Sequence, residues 1–195
     1  MGLGNPGPEY LETRHNAGFR LADHLVARWR LPPLRRGDRA RVTEGSWNAH
    51  AVRILEPTTY MNRSGAALAP LLALPDFDPS RDLLILVDEV ALDLGRFRLR
   101  GAGSAGGHNG LKSVEGTLRR QDYARLRIGV GPVPPGLDGL TDYVLDPFPR
   151  EDREILDALL DSMAEAVETW LDAGIEQAMA RHNRRPDRSP PIADS

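Results

Sequence analysis

The 195 residues suffice for one domain whose core needs no covalent staple. With 41% hydrophobic and 27% charged residues the composition is that of a globular chain rather than a disordered one, and no apolar run is long enough to span a membrane. Cysteine is absent, which excludes disulfides and thiolate metal sites, and no basic segment followed by an apolar stretch opens the chain, so a cytoplasmic protein is expected. The net charge of −3 conceals a segregation of sign. Residues 95–130 hold eight Arg or Lys against Glu115 and Asp122, whereas residues 138–172 hold eleven acids against Arg150 and Arg153. Local charge of this kind steers ligands, so the basic stretch keeps a nucleic-acid partner open despite the acidic total.

In chain order, residues 2–7 (GLGNPG) read as a turn. Asn16 then stands as an N-cap before Phe19, Ala22, Leu25, Val26 and Trp29, whose spacing predicts a helix that Pro32 and Pro33 stop. His15 is thereby placed at a helix start. Residues 50–55, 83–87 and 126–130 read as strands, the second apolar enough to be buried on both faces. Helices are expected over 66–74, despite Pro70, and over 111–118. Residues 132–142 are rich in Pro and Gly and suit a mobile loop or lid. Pro149 opens a long helix with an apolar stripe of Ile155, Leu156, Leu159, Met163, Val167 and Trp170, its acids forming a solvated face. Alternating strands and helices imply a single α/β domain over residues 1–182, and residues 183–195, without apolar periodicity, read as a disordered tail.

Four segments carry polar groups suited to chemistry, and each is ambiguous alone. GLGNPG lacks the full dinucleotide-binding pattern, and Pro6 removes an N–H that a phosphate cradle would use. Asn62 and Ser64 are placed to cap the helix that follows them. Asp88 follows the buried strand, where carboxylates of α/β active sites often stand but also cap loops. GAGSAGGHNG, residues 101–110, has five glycines in ten residues running into a helix and offers His108 and Asn109 as polar tips. Neither a metal-ligand spacing nor a G-x-S-x-G elbow is present.

Taken together and in order, GLGNPG, TRHNAG, PTTYMNRSG, the Asp after a buried strand, GSAGGHNGLKS and RLRIGVG resemble the bacterial peptidyl-tRNA hydrolase family, over residues 2 to about 180. The resemblance implies a monomeric α/β fold with a twisted mixed sheet between helices. It also implies cofactor- and metal-free hydrolysis of the ester joining a peptide to the 3′ end of tRNA. By motif, His15 would be the general base and Asp88 its partner; Asn5, Tyr10, Met61, Asn62 and Asn109 would line the substrate cleft; Arg100 and Arg127 would grip tRNA phosphate. The oxyanion donor stays open among Asn62, Asn109 and an N–H of the glycine loop. The family usually carries several more apolar residues before GLGNPG, whereas here Met1 directly precedes Gly2, so either the start codon is misassigned or the first strand is very short. An RNA-binding relative without hydrolysis, a nucleotide-dependent enzyme and a hydrolase of small esters are the competing readings; the intact His15, Asp88 and Asn109, the lack of a GK[ST] and the basic stretch weigh against them in turn.

Overall fold

The computed structural model describes residues 1–134, 136 and 139–183. In chain order the elements are α1 (Ala17–Arg28), β1 (Arg35–Arg36), β2 (Ala40–Trp47), β3 (His50–Pro57), α2 (Ala69–Leu72), α3 (Pro79–Asp82), β4 (Leu84–Asp93), β5 (Phe97–Arg100), α4 (Asn109–Leu118), β6 (Ala124–Gly131), α5 (Leu140–Leu145) and α6 (Arg150–His182). They form the expected α/β fold. Sheet order is β1-β2-β3 in one group and β4-β6-β5 in the other, with β4 parallel to β6 and β5 antiparallel to it, so the second group is mixed.

The short N-terminal segment joins the two groups. Gly2 donates its N–H to Leu55 of β3 at 3.0 Å, while Leu3 donates to Leu86 of β4 at 2.9 Å and Met1 accepts from Leu86 at 2.9 Å. This segment pairs with β4 through a single parallel bridge, Gly2 to Leu86. Helix α1 can lie directly on this seam because two glycines meet there. A Cβ on Gly18 would fall 2.4 Å from the Leu86 carbonyl oxygen and 2.5 Å from that of Leu3, and one on Gly2 would fall 2.5 Å from the Gly18 carbonyl oxygen. The buried face of α1 (Leu21, Ala22, Leu25) packs with β4, β6 and α6 into one core; α4 and the residues after β3 close a second core on the opposite face.

Several expectations shift in position. The run 83–87 extends to β4, and 126–130 to β6, but β1, β2 and β5 were not expected. The helix expected over 66–74 is a tight 3-10 stretch over Met61–Leu68 followed by the four-residue α2. Pro149 is the N-cap of α6 rather than inside its first turn, and α6 breaks at Gly174, whose φ of 79° is left-handed. Of its stripe, Leu156, Met163 and Val167 are buried, but Ile155 is exposed at the helix's first turns. Asn183, assigned to the tail, belongs to the fold: its side chain accepts the Leu99 N–H at 2.8 Å and donates to the Leu99 carbonyl at 3.0 Å, covering an edge of β5 that would otherwise be open. The rest of the expected tail, 184–195, lies outside the described residues, as do residues 135, 137 and 138 of the expected lid. No helix among the described residues is long and apolar enough to cross a membrane.

Glu56 gives β3 a pH dependence. It is buried, and its ion-pair partner Arg41 stands 3.5 Å away and half exposed. Burial, helped by the negative charge of Asp23, outweighs that cation and pushes the Glu56 pKa from 4.5 up to about 8. A folded-state pKa above the unfolded one means stability present at low pH and lost as pH rises between those two values. The Glu56→Gln variant should therefore gain in Tm relative to the parent as pH climbs from 4.5 to about 8, and a Tm difference constant over that range would refute this assignment.

Candidate active site

Asp88 follows the buried run Leu84–Val87 of β4, on the side where the Met1–Leu3 segment turns away from the sheet. Its buried carboxylate meets two imidazoles: His15 Nδ1 is 3.0 Å from each oxygen, and His108 Nε2 is 2.9 Å from Oδ1. The other ring nitrogen of His108, Nδ1, accepts the N–H groups of Gly110 and Leu111 at 3.1 and 3.2 Å and so caps α4. That engagement fixes the tautomer: Nδ1 carries no proton, and Nε2–H donates to Asp88. Because a carboxylate only accepts, His15 must offer its own Nδ1–H to Asp88. Its Nε2 lone pair is left facing the cleft, without a hydrogen-bond partner among the described residues.

Burial alone would raise the Asp88 pKa, but His108 and His15 reverse this and hold the carboxyl well below the usual carboxylate range. The two imidazoles thus hold the buried Asp88 in its ionised form. The donor atoms of His15, Asp88 and His108 lie within 4.8 Å of one another and form the group among the described residues that could hold a metal ion. As arranged here, each imidazole spends a ring N–H on the carboxylate, which is a hydrogen-bonded array rather than a set of free ligands.

A second network fixes the asparagines. Asn16 was expected to cap α1, yet its side chain makes no capping bond. Instead Asn16 Oδ1 accepts the Asn5 N–H at 2.8 Å and its Nδ2 donates to the Asn5 carbonyl at 3.0 Å, locking the Asn5 backbone. The Asn5 side chain then accepts the Met61 N–H through Oδ1 at 2.8 Å. The amide is thereby oriented, and its NH₂ is the half left without a protein partner among the described residues. Met61 packs closely over the start of α4: a Cβ on Gly110 would lie 2.5 Å from its sulfur, so a side chain there would push the thioether aside.

Arg14 holds the other wall. Its guanidinium donates to the carbonyls of Tyr143 and Asp146 at 3.2 and 3.3 Å and lies over the Tyr143 ring, 4.3 Å from the centroid. It thus ties the turn containing His15 to the end of α5, four residues of which border the cleft.

The cleft, of about 370 Å³, brings His15 and Asp88 together with the five expected substrate contacts, Asn5, Tyr10, Met61, Asn62 and Asn109. A cavity of similar size, about 380 Å³, lies under β3, walled by Leu25, Trp29, Val52, Phe77 and Trp170. Its lining contains no histidine, and its acids Glu44 and Asp82 are paired with the arginines Arg53 and Arg81, which cannot act as bases, so the chemistry belongs to the first. Arg100 and Arg127 do not line the cleft. Arg100 is exposed on β5 without an ion-pair partner among the described residues, whereas Arg127 is paired with Glu89 and donates to the Ser104 carbonyl at 3.1 Å.

The basic stretch as a whole is less available than its count suggests. Arg125 is fully buried, bonded to the carbonyls of Ser104 and Gln121 at 3.1 and 3.0 Å, and Arg120 is paired with Asp122 and Asp78. Arg125 is thus out of reach of phosphate, and Arg120, more than a third exposed, would meet it only by sharing its guanidinium with local acids. Sequence reasoning named His108 only as a polar tip and Asn16 only as a helix cap, and gave Arg14 no role. A cap signal at His108 before Asn109-Gly110 was available; nothing in the pattern announced the other two.

A model of the family described as "Peptidyl-tRNA hydrolase" matches residues 1–190. A relative named peptidyl-tRNA hydrolase from Gemmatimonas aurantiaca is 44% identical over 94% of this chain and 98% of its own, and one of the same name from Gloeobacter violaceus is 46% identical over 98% and 96%. A crystal structure of peptidyl-tRNA hydrolase from Acinetobacter baumannii superposes with a TM-score of 0.85 at 34% identity, covering 93% of this chain and 92% of that one. With its fold and its sequence agreeing, this chain belongs to the peptidyl-tRNA hydrolase family.

Proposed function

We propose that the chain hydrolyses the ester joining a peptide, or an N-blocked aminoacyl group, to the 3′ end of tRNA, with His15 as general base and Asp88 as its orienter. The observation that carries this reading is the His15–Asp88 pair at 3.0 Å, buried beside a cleft bordered by asparagine amides. Ester hydrolysis needs an activated water, a stabilised oxyanion and a proton for the departing ribose oxygen. Nε2 of His15 takes the proton from water as attack begins and returns it to the leaving oxygen. The imidazolium formed in between neutralises the buried Asp88 charge, so the carboxylate favours the transition state over the resting state. The oriented NH₂ of Asn5 is a preorganised donor for the oxyanion, a contact worth roughly 10²-fold or more in rate. Asn62 and Asn109, exposed and unpinned, suit recognition of a peptide backbone whose side chains vary.

Tyr10 and Met61 would hold the end of the substrate, and Arg100 would meet tRNA phosphate from β5. Arg127 would do so only by sharing its guanidinium with Glu89. No step in this scheme calls on a cofactor. The same reading takes the catalytic domain as residues 1–182 with Asn183 added, its two strand groups joined at the Met1–Leu3 seam, and has it working as a monomer in the cytoplasm, for which the resemblance to the family and its role in translation are the support.

The direct test compares an N-blocked aminoacyl-tRNA with its unblocked counterpart: the blocked form should be cleaved efficiently, and equal or absent release from the two would contradict the reading. His15→Ala should fold normally and lose about 10²- to 10⁴-fold in kcat, as removal of a positioned base does; near-parental turnover would remove His15 from the mechanism. For Asp88→Asn, turnover should fall and the acidic limb of the kcat/KM profile should move to lower pH, because the imidazolium loses its counter-charge. An unchanged rate and profile would reduce Asp88 to a structural residue.

A further inference from the structure

Residues 28–41 hold six arginines and one acid, Asp38. They build the end of α1, the turn after it, β1 and the start of β2. Two of the six are spoken for: Arg28 pairs with Glu168 and Asp161, and Arg41 with Asp23 and Glu56. The side chains of Arg35 and Arg36 are exposed and have no hydrogen-bond or ion-pair partner among the described residues. Arg39 meets only Asp38, at 3.4 Å, with both side chains largely in solvent.

The register places this hairpin at the catalytic end of the sheet. Ala40 pairs with Pro57, and Thr58 donates its N–H to the Arg39 carbonyl at 2.9 Å, so the β1–β2 turn stands beside the last residues of β3. Two residues further, Tyr60, Met61 and Asn62 form one rim of the cleft, and Arg63 follows, exposed and unpartnered among the described residues. From that rim outward the chain therefore sets Arg63, Arg39, Arg36 and Arg35. Counting strands from the Met1–Leu3 seam, β1 is three places away on one side and β5, with Arg98 and Arg100, three places away on the other. At about 4.8 Å per strand, each flank lies roughly 14 Å from the seam.

We propose that Arg35, Arg36 and Arg39, with Arg63 nearer the cleft, form a second phosphate-contacting surface that grips the RNA backbone of the substrate from the flank opposite β5. The inference rests on the proposed tRNA substrate and adds a second set of contacts to it. Guanidinium groups suit phosphate because their donors form a planar fork. The tip, Arg35-Arg36-Gly37-Asp38-Arg39, has no apolar residue to bury in a protein interface or a bilayer, which favours a solvated polyanion. Contacts of this kind position the substrate and carry no base specificity.

The test is the triple variant Arg35→Gln/Arg36→Gln/Arg39→Gln in the full chain, assayed across a salt series on N-blocked aminoacyl-tRNA and on the same acyl group carried by a CCA trinucleotide. Three lost contacts should flatten the log–log salt dependence of kcat/KM for the tRNA substrate by about 2 to 3, at 0.7 to 0.9 per contact, and raise its KM roughly 10-fold or more at low salt. kcat, thermal stability and the trinucleotide reaction should stay at parental values. An unchanged salt slope would overturn the proposal. So would an equal loss on both substrates, or a variant that loses affinity for anionic vesicles while tRNA affinity persists. Binding of deacylated tRNA, measured in the same series, separates this inference from the proposed activity. Parental binding whose slope falls in the variant, in a protein that hydrolyses nothing, would leave the surface standing and sink the activity; hydrolysis with an unaltered slope would do the reverse.

Discussion

A carboxylate with 3% of its surface exposed must be given hydrogen-bond donors or it will take up a proton, and Asp88 is supplied with two imidazole N–H groups. Most of the local architecture serves that requirement. His108 can donate only because its second nitrogen is occupied by the first free N–H groups of α4, so the helix has to begin at that residue and the glycine loop has to deliver it there. His15 can reach the same carboxylate only because α1 lies against the seam without an intervening side chain, which the Gly2–Gly18 contact permits. Asn16 and Arg14, on either side of His15, then tie its turn to Asn5 and to α5. The outcome is one imidazole whose proton positions leave a basic nitrogen toward the cleft and a second that serves as a fixed donor.

Much of this is legible in the sequence, because the groups that do chemistry sit in short segments whose order is distinctive. His15, Asp88 and the asparagines could be named from those segments, and α1, β4, β6 and α6 from periodicity. The missed strands share a cause. β5 is Phe-Arg-Leu-Arg, half apolar and half charged, and was read for its charge rather than its alternation. β1 is two arginines, and β2 has little apolar content beyond Val42 and Trp47. Their partner strands define them more than their own residues do. The Trp47–His50 hairpin had a usable signal in Asn48, which adopts a φ of 50° suited to a tight turn. The helix expected over 66–74 became tight turns because Gly65 lies against α4, leaving no room for a Cβ next to the Ser113 carbonyl, and Pro70 removes a donor. Asn16 failed as a cap for a reason no pattern could contain: its amide is committed to a backbone eleven residues earlier.

Charge shows the same division between what counting can and cannot say. Eight basic residues in one stretch suggested a single patch. The fold divides them: Arg125 and Arg127 brace the Ser104 carbonyl beneath the glycine loop, Arg120 answers local acids, and Arg98 and Arg100 point their charge to solvent from the edge strand. Two arginines that hold the loop carrying His108 therefore act on the site through the backbone. The acids of the chain are concentrated along α6, where Arg20 and Arg28 of α1 answer Asp157, Asp161 and Glu168, while exposed cations remain on both flanks of the cleft.

Two proton positions decide whether His15 can serve as a base. Nitrogen-15 NMR of the histidine-labelled protein near neutral pH resolves each ring nitrogen, and spectra of His15→Ala and His108→Ala assign the signals. His15 should carry its proton on Nδ1 with a bare Nε2, and His108 should carry its proton on Nε2 with a bare Nδ1. A proton resident on Nε2 of neutral His15 would leave no base facing the cleft and would contradict the role assigned to Asp88.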